Sequence, residues 1–298
     1  MKKNIIIVTG GAGFVGSNLI ELLLKQTKFK IISLDNYFSG SKINHIKNIR
    51  VKYLKGSTAN IFKILEKFKK KIESVFHFGE FSRIFQSFEM FNECYLSNSI
   101  GSQTVFKFCL ENKIRLIYSA TSASIGNKGK DENLSPYAFT KSKNLELLEN
   151  LKLWFNFKYD VIYFYNVYGP RHISEGKMAT VIGIFENQFL NKKPLTIVRP
   201  GSQTRSFTHI TDTVDTCLFA WKQRKYSHYS ISNKKNYSII QVARMFKTNL
   251  KYLPPRKGER YASALTSISH RNRVIKRFGN KSLKDYITSF IKVSENEN

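Results

Sequence analysis

Val8-Thr9-Gly10-Gly11-Ala12-Gly13-Phe14-Val15-Gly16-Ser17-Asn18 is the stretch that decides the fold of this 298-residue chain. The apolar run over residues 5–8 predicts a short buried strand before it, and the pattern over residues 19–25 predicts a helix after it. A strand, a glycine-rich turn and a helix in this order are typical of a dinucleotide-binding unit. This stretch therefore predicts a bound dinucleotide near residue 10.

Each glycine of the turn has its own task in such a unit. Gly10 would permit the tight turn, Gly13 would let a pyrophosphate approach the backbone, and Gly16 would let the helix pack close to the strand. The first-turn amides of the helix, at Phe14 and Val15, would then face the phosphates at its positive end.

The charge balance is strongly basic, with 49 Lys and Arg against 21 Asp and Glu, a net charge of +28. Such a charge is typical of nucleic-acid or membrane-surface binding. The lysines, however, are spread along the chain, and only Lys69-Lys70-Lys71 form a run. We therefore interpret the charge as a bias of the whole sequence that would attract an anionic small substrate, and expect no nucleic-acid partner.

Targeting and metal-binding signals are weak. No apolar run approaches the about 18–20 residues of a membrane span, and the apolar segment before the glycines is too short for a secretory signal. Cys94, Cys109 and Cys217 are widely spaced and suggest neither a disulfide framework nor a metal cluster. We expect a cytoplasmic protein without a metal site.

Alternating strands and helices predict a doubly wound parallel α/β sheet. The predicted strands cover residues 5–8, 30–36, 51–56, 74–79 and 114–119, and predicted helices cover 60–71 and 92–112. Asp35 ends the second strand about 20 residues beyond the glycines, where its carboxylate can accept hydrogen bonds from both hydroxyls of an adenine ribose. A 2′-phosphate would be repelled there, which favours NAD over NADP.

Three side chains form a candidate reactive set. Thr121 follows the fifth strand and lies at the carboxyl edge of the sheet, where ligands bind in such folds. Tyr137 and Lys141 share one face of a predicted helix that Ser135 or Pro136 can open. The lysine ammonium is expected to lower the phenol pKa from about 10 toward the working range. Thr121 could donate to the oxygen that Tyr137 deprotonates.

With these motifs the sequence resembles the extended short-chain dehydrogenase/reductases of the nucleotide-sugar epimerase/dehydratase family, in particular the UDP-glucose 4-epimerases. The matching segments are Thr9 to Asn18, Asp35-Asn36, Asn98, Thr121, Tyr137 with Lys141, Asn166-Val167-Tyr168-Gly169-Pro170-Arg171, Gly201 to Asp212 and Pro255 to Glu259. The resemblance implies that Tyr137 takes a proton from a sugar hydroxyl, Lys141 holds the nicotinamide ribose, and Thr121 bonds the developing carbonyl oxygen. The implied cofactor contacts are Gly10, Gly13, Phe14, Val15, Gly16, Asp35, Asn36, Phe78, Gly79, Asn98, Tyr137 and Lys141.

The resemblance also implies a nucleotide-diphosphate sugar, with a UDP-sugar favoured. Asn166, Arg205 and Arg256 match family positions that contact the diphosphate, and fork-shaped arginine donors suit its two negative charges. Glu80 and Arg83 follow the fourth strand. They either select sugar hydroxyls or form a pair that shapes the turn.

Departures from the family pattern narrow the activity. Family dehydratases usually carry Asp-Glu after the threonine, and decarboxylases carry Glu, whereas Thr121 is followed by Ser122-Ala123. Without a proton-transferring carboxyl, this leaves epimerisation or keto-sugar oxidoreduction. Ile125 replaces the usual tyrosine before Gly126, and the span to Tyr137 is short. Ser57 and Thr58 replace an acidic and an apolar residue expected at the adenine.

We therefore predict an NAD-dependent nucleotide-sugar epimerase that acts at C4 of a UDP-sugar through a transient 4-keto intermediate and supplies surface-polysaccharide synthesis. The alternatives are a nucleotide-linked keto-sugar reductase or dehydrogenase, and a non-catalytic NAD-sensing or nucleic-acid-binding protein on the same fold. The predicted fold is a Rossmann domain over 1–167, to which 207–235 returns, with a smaller α/β substrate domain over 168–206 and 236–298. By family analogy we expect a homodimer paired through the helices around 92–112 and 137–153.

Overall fold

The computed structural model describes residues 3–122, 132–258 and 274–296. The strands are β1 (Ile5–Thr9), β2 (Lys30–Asp35), β3 (Val51–Lys55), β4 (Ile72–His77), β5 (Arg115–Thr121), β6 (Tyr159–Phe164), β7 (Val167–Tyr168), β8 (Leu195–Val198), β9 (Thr204–Ser206), β10 (Thr208–His209), β11 (His228–Ser232), β12 (Asn236–Ser238), β13 (Leu250–Leu253) and β14 (Val274–Phe278). The α-helices are α1 (Phe14–Gln26), α2 (Ile61–Leu65), α3 (Gln86–Glu89), α4 (Phe91–Tyr95), α5 (Ser102–Glu111), α6 (Pro136–Phe155), α7 (Val181–Leu190), α8 (Ile210–Gln223), α9 (Ile239–Met245) and α10 (Leu283–Asn296).

Eight strands form one parallel sheet in the order β14-β11-β6-β5-β4-β1-β2-β3. The direction of winding reverses between β1 and β4. Ligands of such sheets bind at this reversal, outside the carboxyl ends of the strands. The strand order confirms the predicted doubly wound Rossmann-type fold.

Strand β1 shows how both faces of the sheet are covered. Ile5 and Ile7 pack in a buried cluster with residues of α2, α5 and α6, whereas Ile6 and Val8 pack with residues of α1 and α8. Successive side chains of a strand point to opposite faces. A central strand with helices on both sides must therefore be apolar at every position, which explains the uninterrupted run before the glycines.

The structure differs from three predicted elements. The predicted helix over 60–71 is α-helical only in α2 and continues as a 3₁₀ helix over Glu66–Lys71. The predicted helix over 92–112 contains a π-helical segment, Leu96–Gly101, between α4 and α5. The predicted strand over 74–79 ends at His77, where the amide of Gly79 donates to the Thr9 hydroxyl rather than to a strand carbonyl.

A smaller part of the molecule has its own apolar cluster, built from residues of α7, α9, α10 and β8. Strand β8 pairs with β13 and β9 pairs with β12 beside this cluster. Strand β14, however, pairs with β11 at the edge of the large sheet. Residues 274–278 therefore leave the smaller domain, to which we assigned all of 236–298. The division into two domains otherwise stays a prediction.

Candidate active site

A cavity of about 1090 Å³ lies at the carboxyl ends of the strands. It brings together side chains that are far apart in the sequence and come from both parts of the molecule. The predicted site residues that line it are Gly10, Gly13, Phe14, Val15, Gly16, Asp35, Asn36, Phe78, Gly79, Glu80, Arg83, Thr121, Tyr137, Lys141, Asn166, Arg205 and Arg256.

The glycine turn brings backbone against backbone at one end of this cavity. Gly10 has a φ of +70°, and a Cβ there would lie 2.8 Å from the amide nitrogen of Gly79. A Cβ on Gly16 would lie 2.2 Å from the carbonyl oxygen of Gly10. Helix α1 begins at Phe14, directly after this turn, so its positive end faces the cavity. This cradle fits a phosphate-bearing ligand.

Asp35 lies beside the glycine turn at the end of β2. Its two carboxylate oxygens accept hydrogen bonds from the backbone amides of Ala12 at 2.9 Å and Tyr37 at 2.8 Å. These two bonds hold the carboxylate at the cavity wall, and the position fits the ribose contact of a dinucleotide.

Tyr137 and Thr121 meet in the middle of the cavity. Helix α6 begins at Pro136, and the side chain of Ser135 caps it by accepting from the amide of Ala138, as predicted from the sequence. Tyr137 therefore lies in the first turn, where a hydrogen bond joins its phenol to the Thr121 side chain. Burial raises the pKa of Tyr137 to about 12, although the bond to Thr121 opposes this rise. The prediction that Lys141 lowers the pKa of this phenol is therefore wrong.

Glu80 explains why Lys141 does not lower that pKa. The carboxylate of Glu80 forms an ion pair with the Lys141 ammonium, which also donates to the carbonyl of Ser119 at 2.6 Å. Burial lowers the pKa of Lys141 and the Glu80 carboxylate opposes that change. Glu80 pairs with Lys141 and not with Arg83, so the predicted Glu–Arg pair in the turn is wrong.

Arg83 instead reaches across the cavity wall to the segment before α7. Its guanidinium donates through Nε to the carbonyl of Met178 at 2.9 Å and through a second nitrogen to the carbonyl of Ser82 at 2.9 Å. Burial lowers the pKa of Arg83 to about 10, so the side chain stays cationic at neutral pH. Arg83 thus contributes a positive charge near the Tyr137 phenol.

The other end of the cavity carries the residues predicted to bind a diphosphate. Asn166 has a φ of +33° and donates to the carbonyl of Ser206 at 2.9 Å. Arg205 lies on β9, and the guanidinium of Arg256 lies 5.4 Å from the ring centre of Phe85. The three side chains line one cavity with the glycine turn, although they come from separate segments.

Asn98 lies behind the cavity wall instead of in it. The side chain is fully buried in the π-helical segment and exchanges two hydrogen bonds with the backbone of Phe81, at 2.7 and 3.0 Å. Through these bonds Asn98 holds the loop that follows β4. The structure therefore gives this predicted cofactor contact a position one layer away from the cavity.

A comparison with protein families identifies the family of this chain. The model of the NAD dependent epimerase/dehydratase family matches residues 6–232. The chain belongs to this family. The predicted family is thereby confirmed, and with it NAD as the cofactor on which the family depends.

Relatives within the epimerase/dehydratase family carry several activities in their names. An uncharacterized UDP-glucose epimerase of Bacillus subtilis, YtcB, is 32% identical over 70% of this chain and 70% of its own. UDP-glucuronic acid decarboxylase 6 of Arabidopsis thaliana is 26% identical over 83% of this chain and 74% of its own. The crystal structure of UDP-glucose 4-epimerase from Thermotoga maritima, with UDP-glucose, shares the fold with a TM-score of 0.83, at 22% identity and over 98% and 99% of the two chains.

Some sequence features of this epimerase/dehydratase family member fall outside the described residues. Ser122 directly follows Thr121 at the cavity. Ala123, Ile125, Gly126 and Glu259 lie outside the described residues, so the short loop before Tyr137 remains a sequence feature. Ser57 and Thr58 line the cavity.

No helix in the described part of the chain is long and apolar enough to cross a membrane. The described residues also contain no group of three His, Cys, Asp or Glu side chains that could hold a metal ion.

Sequence reasoning missed the residues that surround Glu80. Asn144 and Tyr118 both donate to its Oε1, at 3.2 and 3.0 Å. Asn144 lies on the same face of α6 as Tyr137 and Lys141, since seven residues make about two helical turns. This spacing was the available signal for Asn144. No comparable signal pointed to Tyr118, which belongs to β5.

Proposed function

We propose that this protein is an NAD-dependent nucleotide-sugar epimerase that inverts C4 of a UDP-sugar through a transient 4-keto sugar. The observation that carries the proposal is the Tyr137 phenol bonded to Thr121 at the wall of a cavity that begins at the glycine turn. A phenol and a hydroxyl that lie side by side can act on the same sugar hydroxyl, the phenol by accepting its proton and the hydroxyl by donating a hydrogen bond to its oxygen. The names of the B. subtilis and T. maritima proteins support the same activity.

The chemistry follows from the side chains around that point. When bound, NAD supplies a hydride acceptor. The ionised Tyr137 phenol would take the proton of the C4 hydroxyl as C4 gives up its hydrogen to that acceptor, and Thr121 would donate to the resulting carbonyl oxygen. Once the 4-keto sugar presents its other face to the cofactor, Tyr137 would give the proton back to the oxygen on C4, which is thereby inverted. No net oxidation results, so the cofactor is recovered in each cycle.

Other residues hold the two ligands in this proposal. Gly10, Gly13, Gly16 and the first turn of α1 hold the cofactor's pyrophosphate, and Asp35 holds its adenine ribose. Asn166, Arg205 and Arg256 hold the diphosphate of the sugar nucleotide, for which arginine has a matching fork of donors.

The residue after Thr121 argues against the decarboxylase and dehydratase activities of other family members. Both reactions need an additional group that moves a proton at the sugar, and Ser122-Ala123 carries no carboxyl. We therefore assign the chain to the epimerases, with a role in supplying sugars for surface polysaccharides. The three cysteines are free and buried, which agrees with a reducing compartment such as the cytoplasm.

Product analysis tests this proposal. The purified protein is incubated with UDP-glucose, UDP-N-acetylglucosamine and UDP-glucuronic acid, and proton NMR follows the sugar at C4. We expect one of them to reach an epimer mixture without added NADH. Tyr137→Phe should abolish conversion while NAD stays bound, whereas Tyr252→Phe, an exposed residue of β13, should convert normally. Conversion by Tyr137→Phe at the wild-type rate would contradict the mechanism.

A keto-sugar reductase is the second candidate, and the pKa of Tyr137 favours it. Burial raises this pKa to about 12, so the phenol is protonated and suited to donate to a carbonyl. A reductase would consume one NADH for each sugar reduced. Loss of absorbance at 340 nm in proportion to product would replace the epimerase proposal by this one.

The homodimer belongs to the same proposal. Exposed apolar side chains gather on α4, the π-helical segment and α6, which lie next to each other: Phe91, Tyr95, Leu96, Ile100, Phe139, Leu153, Trp154 and Phe155. A patch of this kind marks a protein interface. We assign it to a second copy of this chain.

A further inference from the structure

We propose that Glu80 is a positioning residue for the reaction, and that its carboxylate holds the Lys141 ammonium at the cavity wall and balances its charge. The proposal rests on the proposed function. It gives Glu80 a role through Lys141 instead of the sugar contact suggested by its place in the sequence.

The surroundings of Glu80 leave little of its carboxylate for a substrate. The side chain is 1% exposed, and that of Lys141 is 5% exposed. Oε2 accepts from the Lys141 ammonium, and Oε1 accepts from Ser102 at 2.8 Å, Tyr118 at 3.0 Å and Asn144 at 3.2 Å. A buried carboxylate is costly unless it is paired and hydrogen-bonded. Here both conditions are met, so the charge is fixed in place.

The same carboxylate is connected to the glycine turn. The Ser102 hydroxyl, which donates to Glu80, lies 3.0 Å from Nε2 of His77, and Nδ1 of His77 lies 2.7 Å from the Thr9 hydroxyl. The Thr9 oxygen also accepts from the amide of Gly79 at 3.0 Å. Because the Ser102 hydroxyl gives its hydrogen to Glu80, its oxygen must accept a hydrogen bond from His77, so the ring proton of His77 is on Nε2. Burial lowers the pKa of His77 to about 4, so the ring is neutral. One row of hydrogen bonds thus joins the turn before α1 to the Lys141 side chain.

Few charges act on the Tyr137–Lys141 pair. The titratable groups that face it are Glu80, Arg83, Cys94, His77 and Tyr118. Burial keeps the last three neutral, since it raises the pKa of Cys94 to about 11, raises that of Tyr118 and lowers that of His77. Within the described residues, Glu80 and Arg83 are therefore the charged groups that influence the pair.

Glu80 shifts the pKa values of Tyr137 and Lys141 in the same direction. Its negative charge raises the pKa of the Tyr137 phenol and also that of the Lys141 ammonium. Turnover needs Tyr137 able to lose its proton and Lys141 charged. Removing the carboxylate should therefore move both limbs of the pH–activity profile to lower pH.

The first experiment compares the pH profiles of wild type and Glu80→Gln, with NAD and the sugar nucleotide that wild type converts. We expect the whole profile to move down by about one pH unit or more. We also expect kcat at the optimum of each profile to be about tenfold or more lower in the variant, because the ammonium loses its anchor, with KM for the sugar nearly unchanged. A profile that keeps its position, or a loss confined to KM, would overturn the proposal.

A matched control is available in another buried ion pair, Asp160 with Arg115. Both of its side chains are buried, and neither residue lines the cavity. Asp160→Asn should lower thermal stability and leave the pH profile where it is. A general loss of stability is thereby separated from the effect specific to Glu80.

A double-mutant cycle shows whether Glu80 acts through Lys141. We expect Glu80→Gln to have almost no further effect on kcat in a Lys141→Met background, since the group it positions is gone. Effects that multiply would show that Glu80 acts independently of Lys141. This background also protects the test against misfolding, because it removes both buried charges together.

A measurement without substrate separates this proposal from the proposed function. With ¹³Cζ-labelled tyrosine, the Tyr137 resonance is identified by its loss in Tyr137→Phe, and its titration is followed by NMR. We expect ionisation to begin at lower pH in Glu80→Gln than in wild type. An unchanged titration overturns the role of Glu80, whereas a wild type that converts no nucleotide sugar contradicts only the proposed function.

Discussion

Replacing Gly16 by alanine tests whether the turn before α1 is built on contact between backbone atoms. A Cβ at this position would lie 2.2 Å from the carbonyl oxygen of Gly10 and 2.8 Å from Cα of Gly11. These are backbone atoms, so no side chain can rotate away. The turn itself must retreat by about 1 Å or more, since non-bonded heavy atoms prefer about 3.5–4.0 Å.

The expected loss of stability follows from that displacement. Overpacking of this kind costs about 1–3 kcal/mol. A chain of this size loses about 2–4 °C of Tm for each kcal/mol, so Gly16→Ala should melt roughly 2–12 °C below wild type. Circular dichroism without added cofactor measures this loss. Calorimetry should show weaker NAD binding as well, because the displaced turn carries the first amides of α1.

Gly13→Ala is the matched control, because its Cβ would meet only the Gly10 oxygen, at 3.2 Å. Gly13 has a φ of −83°, which suits alanine, so we expect a stability loss of about 1 kcal/mol or less. NAD affinity should still fall about tenfold or more, since the methyl group would stand where a pyrophosphate approaches the backbone. Equal losses of Tm in the two variants, or a Gly16→Ala protein as stable as wild type, would refute this reasoning.

Three further predictions concern cofactor choice, pH and assembly. Asp35→Asn should weaken NAD binding about ten- to hundredfold and NADP binding less, by calorimetry, because a charged acceptor is lost. Burial lowers the pKa of His228 from 6.5 to about 4. The unfolded chain therefore binds a proton that the folded chain refuses, and the free energy of unfolding should fall by up to about 3 kcal/mol as pH drops through this window. His228→Asn should make that dependence shallower in urea titrations at several pH values, and the part that remains includes the contribution of His77, whose pKa burial also lowers to about 4. Leu96→Lys should halve the mass measured by light scattering, whereas Lys222→Glu, an exposed residue of α8 on the opposite face of the large sheet, should leave it unchanged.

The sequence predicted the large sheet well because its central strands are buried on both sides. Such strands contain consecutive apolar residues, such as residues 5–8, 31–32 and 116–118, and the strands stand out in the sequence for this reason. Periodicity was less informative for 60–71 and 92–112. An apolar face of α-helical spacing also suits a 3₁₀ or π-helical segment, because these differ mainly in which carbonyl each amide meets.

The candidate site was predictable where one residue or a short segment performs the task. The glycine turn, Asp35 and the Tyr137–Lys141 spacing are of this kind. The partners of Glu80 were not predictable, because they come from β5, α5 and α6 and meet only in the packed molecule. They are Lys141, Tyr118, Ser102 and Asn144. Proximity along the chain suggested Arg83 instead. Local spacing therefore revealed the reactive side chains but not their charge environment.

Strand β14 has a consequence for how the chain folds during synthesis. It covers the outer edge of β11, yet it leaves the ribosome about forty residues after that strand. Until then β11 presents unpaired amides and carbonyls, and such an edge readily recruits a strand from another chain. A nascent chain or a truncation that ends before residue 274 carries this open edge. The large sheet is therefore protected from aggregation at this edge only once its last strand has been made and has paired.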